Sequence, residues 1–173
     1  MASFAMLFGT LLMSYLLIRS RQVNWPPIGV EPLSPMMPAL STLVLLISSG
    51  LFHASCTRLK TQKIAEAKMF WRIGTYLGAV FMVLQFFICW QWRIEGLVAG
   101  ESLFASIIYT LIGVHFFHAL ASWLSLIWVY FKSKFWSGTS EAPSVSEAPL
   151  ITTWFWHFLD AVWIVTFVLI FVG

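Results

Sequence analysis

Long stretches without a charged side chain are the feature that most constrains what this chain can fold into. Residues 73–92 and 102–131 contain no Asp, Glu, Lys or Arg. A helix that crosses the hydrocarbon core of a bilayer needs about 20 consecutive, predominantly apolar residues. These stretches reach that length and lack the alternation of apolar and polar residues that membrane-spanning strands show, so they predict transmembrane helices.

Five stretches of this kind predict an all-α fold, an integral membrane bundle of five transmembrane helices. The first has no basic segment and no small-residue cleavage site before Arg19, so it is predicted to be a retained helix rather than a signal peptide. A segment rich in Ser and Pro, 137–149, is predicted to be a flexible inner loop. The chain is therefore predicted to be a single membrane domain, 1–173, with spans at about 2–18, 38–55, 71–92, 102–131 and 151–172.

Composition excludes several classes of protein. Hydrophobic residues make up 60% of the chain and charged residues 10%, against about 45–50% and about 25% in soluble proteins. A soluble enzyme, a disordered chain and a disulfide scaffold are all excluded. The net charge of +3 does not indicate a nucleic-acid partner, because the basic residues flank the apolar spans, where they meet lipid headgroups.

The basic residues also predict an orientation. With five spans the termini lie on opposite sides, and the side of the N-terminus carries seven Lys and Arg against three on the other. This asymmetry predicts a cytoplasmic N-terminus and a C-terminus outside. Tryptophans near the span ends are then predicted to form an inner aromatic belt of Trp71, Trp136 and Trp154 and an outer one of Trp25, Trp90 and Trp92.

Polar side chains within the spans are candidates for function. An unpaired polar group in hydrocarbon costs several kcal/mol, and an aspartate at mid-helix costs about 2.5–3.5 kcal/mol on insertion scales. Asp160 is therefore expected to face protein, with His157 one turn away as a partner. Two interpretations stay open: a residue of a proton path or subunit contact, and a polar anchor of helix packing.

Two further histidines, His115 and His118, share one face of the fourth span. Metal or haem ligation is the alternative, but two histidines on one helix do not form the facing pair that a haem needs. The sequence offers no further ligands of metal type with suitable spacing. We therefore interpret these histidines as hydrogen-bonded packing residues and expect no metal site and no catalytic residue in this chain.

Four segments, in order along the chain, resemble one family. Residues 156–163, WHFLDAVW, resemble the WHFxDxxW signature of subunit III of the haem-copper oxidases. Residues 109–118, YTLIGVHFFH, are similar to its YxLTGxHGLH pattern, and residues 42–53, TLVLLISSGLFH, to its TLLLLSSxxxH segment. The third span matches the LGxxFxxxQ arrangement with Leu77, Gly78, Phe81 and Gln85.

The resemblance implies the five-helix bacterial form of subunit III in an aerobic terminal oxidase of the cytochrome c oxidase type, located in the bacterial inner (plasma) membrane. It implies a non-catalytic subunit that packs on subunit I, holds bound phospholipid and supports proton uptake. Haem and copper are then expected in the partner subunits I and II, and no cofactor in this chain. The accessory subunit of a nitric-oxide reductase, which shares these motifs, is the nearest alternative; a free-standing haem-binding cytochrome and a small transporter are others.

The resemblance also implies roles for individual residues. Candidates for lipid binding are Lys132, Lys134, Trp156 and His157. Candidates for structural or subunit contacts are His53, Gln85, His115, His118, Asp160 and Trp163. The chain departs from the family pattern at Phe4, where a carboxylate usually stands, and at Phe116-Phe117, where Gly-Leu usually stands.

Overall fold

The part of the chain that the structure describes contains five long helices. In a computed structural model, the described residues are 2–23, 25, 34–132 and 147–172. The helices are α1 (Ala2–Ser20), α2 (Met36–Lys60), α3 (Ile64–Ile94), α4 (Leu103–Phe131) and α5 (Glu147–Phe167), the last continuing as a π-helical turn, Val168–Val172. All five are long and apolar enough to cross a membrane. The predicted five-helix membrane bundle is confirmed, while the side that each terminus faces stays a prediction.

A tight turn joins α2 to α3. Gln62 has a left-handed backbone (φ 59°), and it follows a helix end closed by the Gln62 N–H donating to the Leu59 carbonyl at 3.1 Å and the Lys63 N–H donating to the Arg58 carbonyl at 3.0 Å. This is the Schellman arrangement, which satisfies the last carbonyls of a helix. The short turn makes α2 and α3 antiparallel neighbours.

Helix α5 begins inside the segment 137–149 that was predicted to be the inner loop. Residues 133–146, which include Lys134 and Trp136, lie outside the described residues. From Glu147 onward the chain is helical, four residues before the predicted start of the span. Pro149 does not prevent this, because a proline is tolerated in the first turn, where its missing N–H has no helical acceptor.

The tryptophan belts are only partly as predicted. Trp90 and Trp154 are exposed, but Trp71 is 0% and Trp92 4% exposed, so the prediction for these two is wrong. Trp71 instead donates its Nε1–H to the Leu126 carbonyl of α4 at 3.0 Å. The physical reason is their position on the buried stripe of α3, which repeats every three or four residues: Ala67, Trp71, Gly74, Gly78, Phe81, Gln85, Ile88 and Trp92.

The first helix lies at the edge of the bundle. Its buried residues are Phe8 and Tyr15. The Tyr15 hydroxyl donates to the Leu169 carbonyl in the π-helical turn at 2.9 Å, and the Arg19 Nη1–H donates to the same oxygen at 3.1 Å. These bonds tie the end of α1 to the end of α5, since carbonyls in the last turn of a helix need partners from elsewhere.

Candidate functional site

A row of serines on α2 faces α3. Ser41, Ser48 and Ser55 are spaced by seven residues and are fully buried. The Ser48 hydroxyl donates to the Gly74 carbonyl at 2.8 Å, and the Ser55 hydroxyl donates to the Ala67 carbonyl at 2.7 Å. Small hydroxyl side chains let two backbones approach closely and bond across the interface within a membrane.

A second polar row lies next to the first and faces α5. Its members are Thr42, Ser49 and Cys56, again seven residues apart. The Thr42 hydroxyl accepts a hydrogen bond from Trp163 Nε1 at 2.9 Å, and the Cys56 sulfur lies 3.4 Å from the Thr153 hydroxyl oxygen. Helix α2 therefore contacts α3 through one polar row and α5 through the other. Trp163 is one of the α5 side chains bonded to the second row.

Gln85 joins the first row at its N-terminal end, at Ser41. Its Nε2 donates to the Ser41 hydroxyl at 3.0 Å, and that hydroxyl donates to the Pro38 carbonyl at 2.8 Å. The Oε1 atom of Gln85 is buried without a partner among the described residues. Gln85 thus contacts α2 of its own chain.

Ser49, the middle residue of the second row, is connected through His157 to the buried carboxylate of Asp160. Ser49 Oγ and His157 Nδ1 are hydrogen-bonded, and His157 Nδ1 lies 3.6 Å from Asp160 Oδ2. Asp160 is 5% exposed, and neither of its carboxylate oxygens has a hydrogen-bond partner within the described part of the chain. His53 lies at the exposed edge, its ring centroid 6.1 Å from that of His157. We call Ser49, His53, His157 and Asp160 the polar cluster; it runs from the surface to a buried carboxylate.

His115 and His118 lie one turn apart on α4, on the side that meets α1 and α5. The buried His115 ring packs against Trp163 with centroids 5.2 Å apart, and its Nδ1 has no partner in the described ranges. His118 Nδ1 lies 2.7 Å from the Val114 carbonyl oxygen of its own helix, so this nitrogen donates its proton there. The Phe8 ring lies 5.3 Å from that of His118. These histidines are enclosed mainly by aromatic rings.

The two departures from the family pattern, at Phe4 and at Phe116-Phe117, differ in their surroundings. Phe4, which replaces the usual carboxylate, packs edge-on against His118 with centroids 5.1 Å apart and against Phe155 at 5.3 Å. Phe117 is exposed, and Phe116 is half-buried. The aromatic ring at position 4 therefore covers a histidine.

The residues predicted to contact lipid differ in how exposed they are. Lys132 is exposed at the end of α4, with its Nζ 4.7 Å from the centroid of the Trp128 ring. His157 is partly exposed. Trp156 is 1% exposed and packs against Phe52 with centroids 5.9 Å apart, so the lipid contact predicted for it is not available to a ring in this position.

No metal centre is visible in the described ranges 2–23, 25, 34–132 and 147–172: they contain no group of three or more His, Cys, Asp or Glu side chains that could hold an ion. The polar side chains that meet there bond helices to one another. Sequence reasoning missed the two polar rows of α2, although their signal, hydroxyl or thiol residues recurring every seven positions in one span, is present in the sequence.

Comparison with known proteins gives a consistent result. The family model described as "Cytochrome c oxidase subunit III" matches residues 2–173. A cytochrome c oxidase subunit 3 from Thermostichus vulcanus is 27% identical over 168 residues, covering 97% of this chain and 81% of that protein. One from Synechocystis sp. is 30% identical, covering 95% and 69%. One from Branchiostoma lanceolatum is 31% identical over 150 residues, and this chain spans about half of its length, 55%.

Proposed function

Because the chain belongs to the cytochrome c oxidase subunit III family, we propose that it is the non-catalytic core subunit that stabilises subunit I, holds phospholipid and supports proton uptake. It is a subunit III of a terminal oxidase and a multi-pass membrane protein, and so a member of a complex that contains subunit I. The relatives described above are all cytochrome c oxidase subunits, and none favours a nitric-oxide reductase.

The pairing of polar groups between helices of this one chain carries the proposal. Both rows of α2 bond to α3 or α5, as expected for a rigid scaffold. Haem and copper belong, in this proposal, to subunits I and II, and this chain holds no cofactor besides bound phospholipid.

Contact with subunit I would involve the polar groups that reach the surface. His53 is exposed, and His118 and His157 are partly buried. Asp160 is enclosed by its own chain, so its influence on subunit I is indirect and passes through His157, which lies 3.6 Å away. A polar side chain on a lipid-facing surface is costly unless another subunit pairs with it.

Lys132 is the proposed lipid contact on the side of the N-terminus, which we place in the cytoplasm of a bacterial inner membrane. A cation at that surface attracts anionic headgroups by about 1 kcal/mol. At position 4 no carboxylate is present, so proton uptake would be supported by the stability of the complex and not by this position.

The test is the composition of the purified complex after Asp160→Ala. We expect less subunit III per subunit I, measured by mass spectrometry, with the haem absorbance of subunit I unchanged. Asp160→Asn, which keeps the size and polarity of the side chain, should lose less. Normal subunit stoichiometry in both variants would contradict the structural role, and an altered haem spectrum with subunit III fully retained would indicate a direct part in the redox chemistry.

A further inference from the structure

A groove between α3 and α4 opens to the outside of the bundle. It has a volume of 690 Å³ and an apolar lining with one cation, Arg72, at one end. Its rims are exposed: Tyr76 is 69% and Phe131 76% accessible. Trp123 and Ala79 form the inner part. None of these residues belongs to the polar cluster.

The groove fits within the depth of one lipid leaflet. The charge-free part of α3, residues 73–92, is about 30 Å long at 1.5 Å per residue, which equals the hydrocarbon thickness of a bilayer. Arg72 therefore lies at the headgroup level. The helix rises about 10 Å from Arg72 to Ala79, within the roughly 15 Å of one leaflet.

The charged side chains at the Arg72 end of the groove are positive. Arg72 is exposed, and no carboxylate among the described residues lies within ion-pair distance of it, since Glu66 pairs with Arg58 at 2.9 Å and Lys63 at 3.7 Å. Lys68 adds a second positive charge, with its Nζ 5.7 Å from the ring centroid of Tyr130, a lining residue. A guanidinium binds a phosphate through two parallel hydrogen bonds.

The floor of the groove is held in place from inside the bundle. Trp123 Nε1 donates to the Thr75 carbonyl at 2.9 Å, which leaves no free indole donor toward the groove. Gly78 provides the space behind it, since a Cβ at that position would lie 2.9 Å from Trp123 Cδ1. The floor is therefore rigid and apolar before any ligand binds.

We propose that this groove seats one acyl chain of an anionic glycerophospholipid, with its phosphate on Arg72. The proposal extends the lipid-holding role proposed above to a groove that Lys132 does not line. The apolar floor holds the chain whatever the headgroup, while Arg72 provides the preference for negative charge.

The test uses the purified oxidase complex in mild detergent, stripped of loosely held lipid and titrated with phosphatidylglycerol or with phosphatidylcholine of the same acyl chains. Native mass spectrometry counts the lipids retained per complex. Arg72→Gln should weaken retention of one phosphatidylglycerol about fivefold, as expected for one interfacial cation, and leave phosphatidylcholine unchanged. Ala79→Leu, which fills the groove, should remove one lipid of either kind.

Matched controls separate this site from general effects. Arg93→Gln removes a cation at the opposite end of α3, and Ala121→Leu enlarges an exposed alanine of α4 outside the groove; both should behave like the unchanged chain. Lys132→Gln tests the other lipid contact, so the two proposed contacts can fail independently.

Equal phosphatidylglycerol retention in Arg72→Gln and Arg93→Gln would overturn the proposal. Loss of a protein subunit from Ala79→Leu with no change in lipid would assign the groove to a partner helix instead. Because Arg72 is exposed, its replacement decides the question even if Ala79→Leu fails to assemble.

Discussion

Helices α1 and α2 are equally hydrophobic but are held in the bundle very differently. The most apolar window of each has a mean hydropathy of 1.6, yet 11% of that window is buried in α1 and 39% in α2. Apolar side chains gain little from leaving lipid for protein, because lipid tails are as apolar as leucine. Hydropathy therefore predicts that both helices enter the membrane and says nothing about which one forms the core.

Position of the hydroxyl groups explains the difference. In α2 they lie in two rows that bond to α3 and α5. In α1 the hydroxyls of Thr10 and Ser14 bond to carbonyls of their own helix, at 2.8 Å each. A hydroxyl that bonds only within its own helix adds no hydrogen bond between helices, whereas the Ser41 hydroxyl of α2 bonds to the Pro38 carbonyl and also accepts from Gln85 of α3. The same residue type thus marks a core helix or a peripheral one according to where its partner lies.

The largest expected effect comes from the same substitution in both helices. Ser48→Leu removes the bond to the Gly74 carbonyl and forces a larger side chain into a closed interface, at a cost of about 2–4 kcal/mol. Ser14→Leu, at an exposed position of α1, should change stability by less than about 0.5 kcal/mol. Thermal unfolding of the detergent-solubilised complex measures both. Equal losses would show that the two helices are packed alike.

Glycines provide the next comparison. A Cβ at Gly78 would lie 2.9 Å from Trp123 Cδ1 and 3.3 Å from Trp156 Cη2, whereas one at Gly9 of α1 would meet nothing within 4 Å. Gly78→Ala should therefore cost about 1–3 kcal/mol, and Gly9→Ala should be neutral or slightly stabilising. The same unfolding measurement applies. A tolerated Gly78→Ala would mean that the indole of Trp123 moves aside easily.

The sequence predicted the number of spans and that Asp160 faces protein, but not how the helices meet. Five charge-poor stretches became five helices, and Gln85 and Asp160 are buried, as the cost of exposing them to lipid requires. Trp71 and Trp92 were misplaced because tryptophan suits both a membrane interface and a packed face. In α2 the two faces that meet α3 and α5 are marked by the seven-residue spacing of hydroxyl and thiol side chains.

The attachment of α1 predicts a smaller, local effect. Tyr15→Phe removes a hydroxyl that donates to the Leu169 carbonyl at 2.9 Å and accepts from Trp25 Nε1 at 3.2 Å. Bonds between membrane helices contribute about 0.6–1.7 kcal/mol, so hydrogen exchange should rise in α1 and stay unchanged in α2 and α3. Tyr76→Phe, at an exposed tyrosine, is the control. Faster exchange throughout the bundle would show that α1 is part of the core after all.

The smallest expected effect concerns the salt bridges of Glu66, the only ones that link α2 to α3 among the described residues. Glu66 lies 2.9 Å from Arg58 and 3.7 Å from Lys63, and all three side chains are exposed. Exposed ion pairs contribute about 0.2–1 kcal/mol and weaken as salt screens them. Glu66→Gln should therefore lower stability slightly at low salt and not at all at high salt, whereas Ser48→Ala, which removes a buried bond, should cost the same at both. Glu101→Gln, at an exposed glutamate near the start of α4, controls for loss of charge. A salt-independent loss in Glu66→Gln would mean that the turn, and not the polar rows, holds α2 against α3.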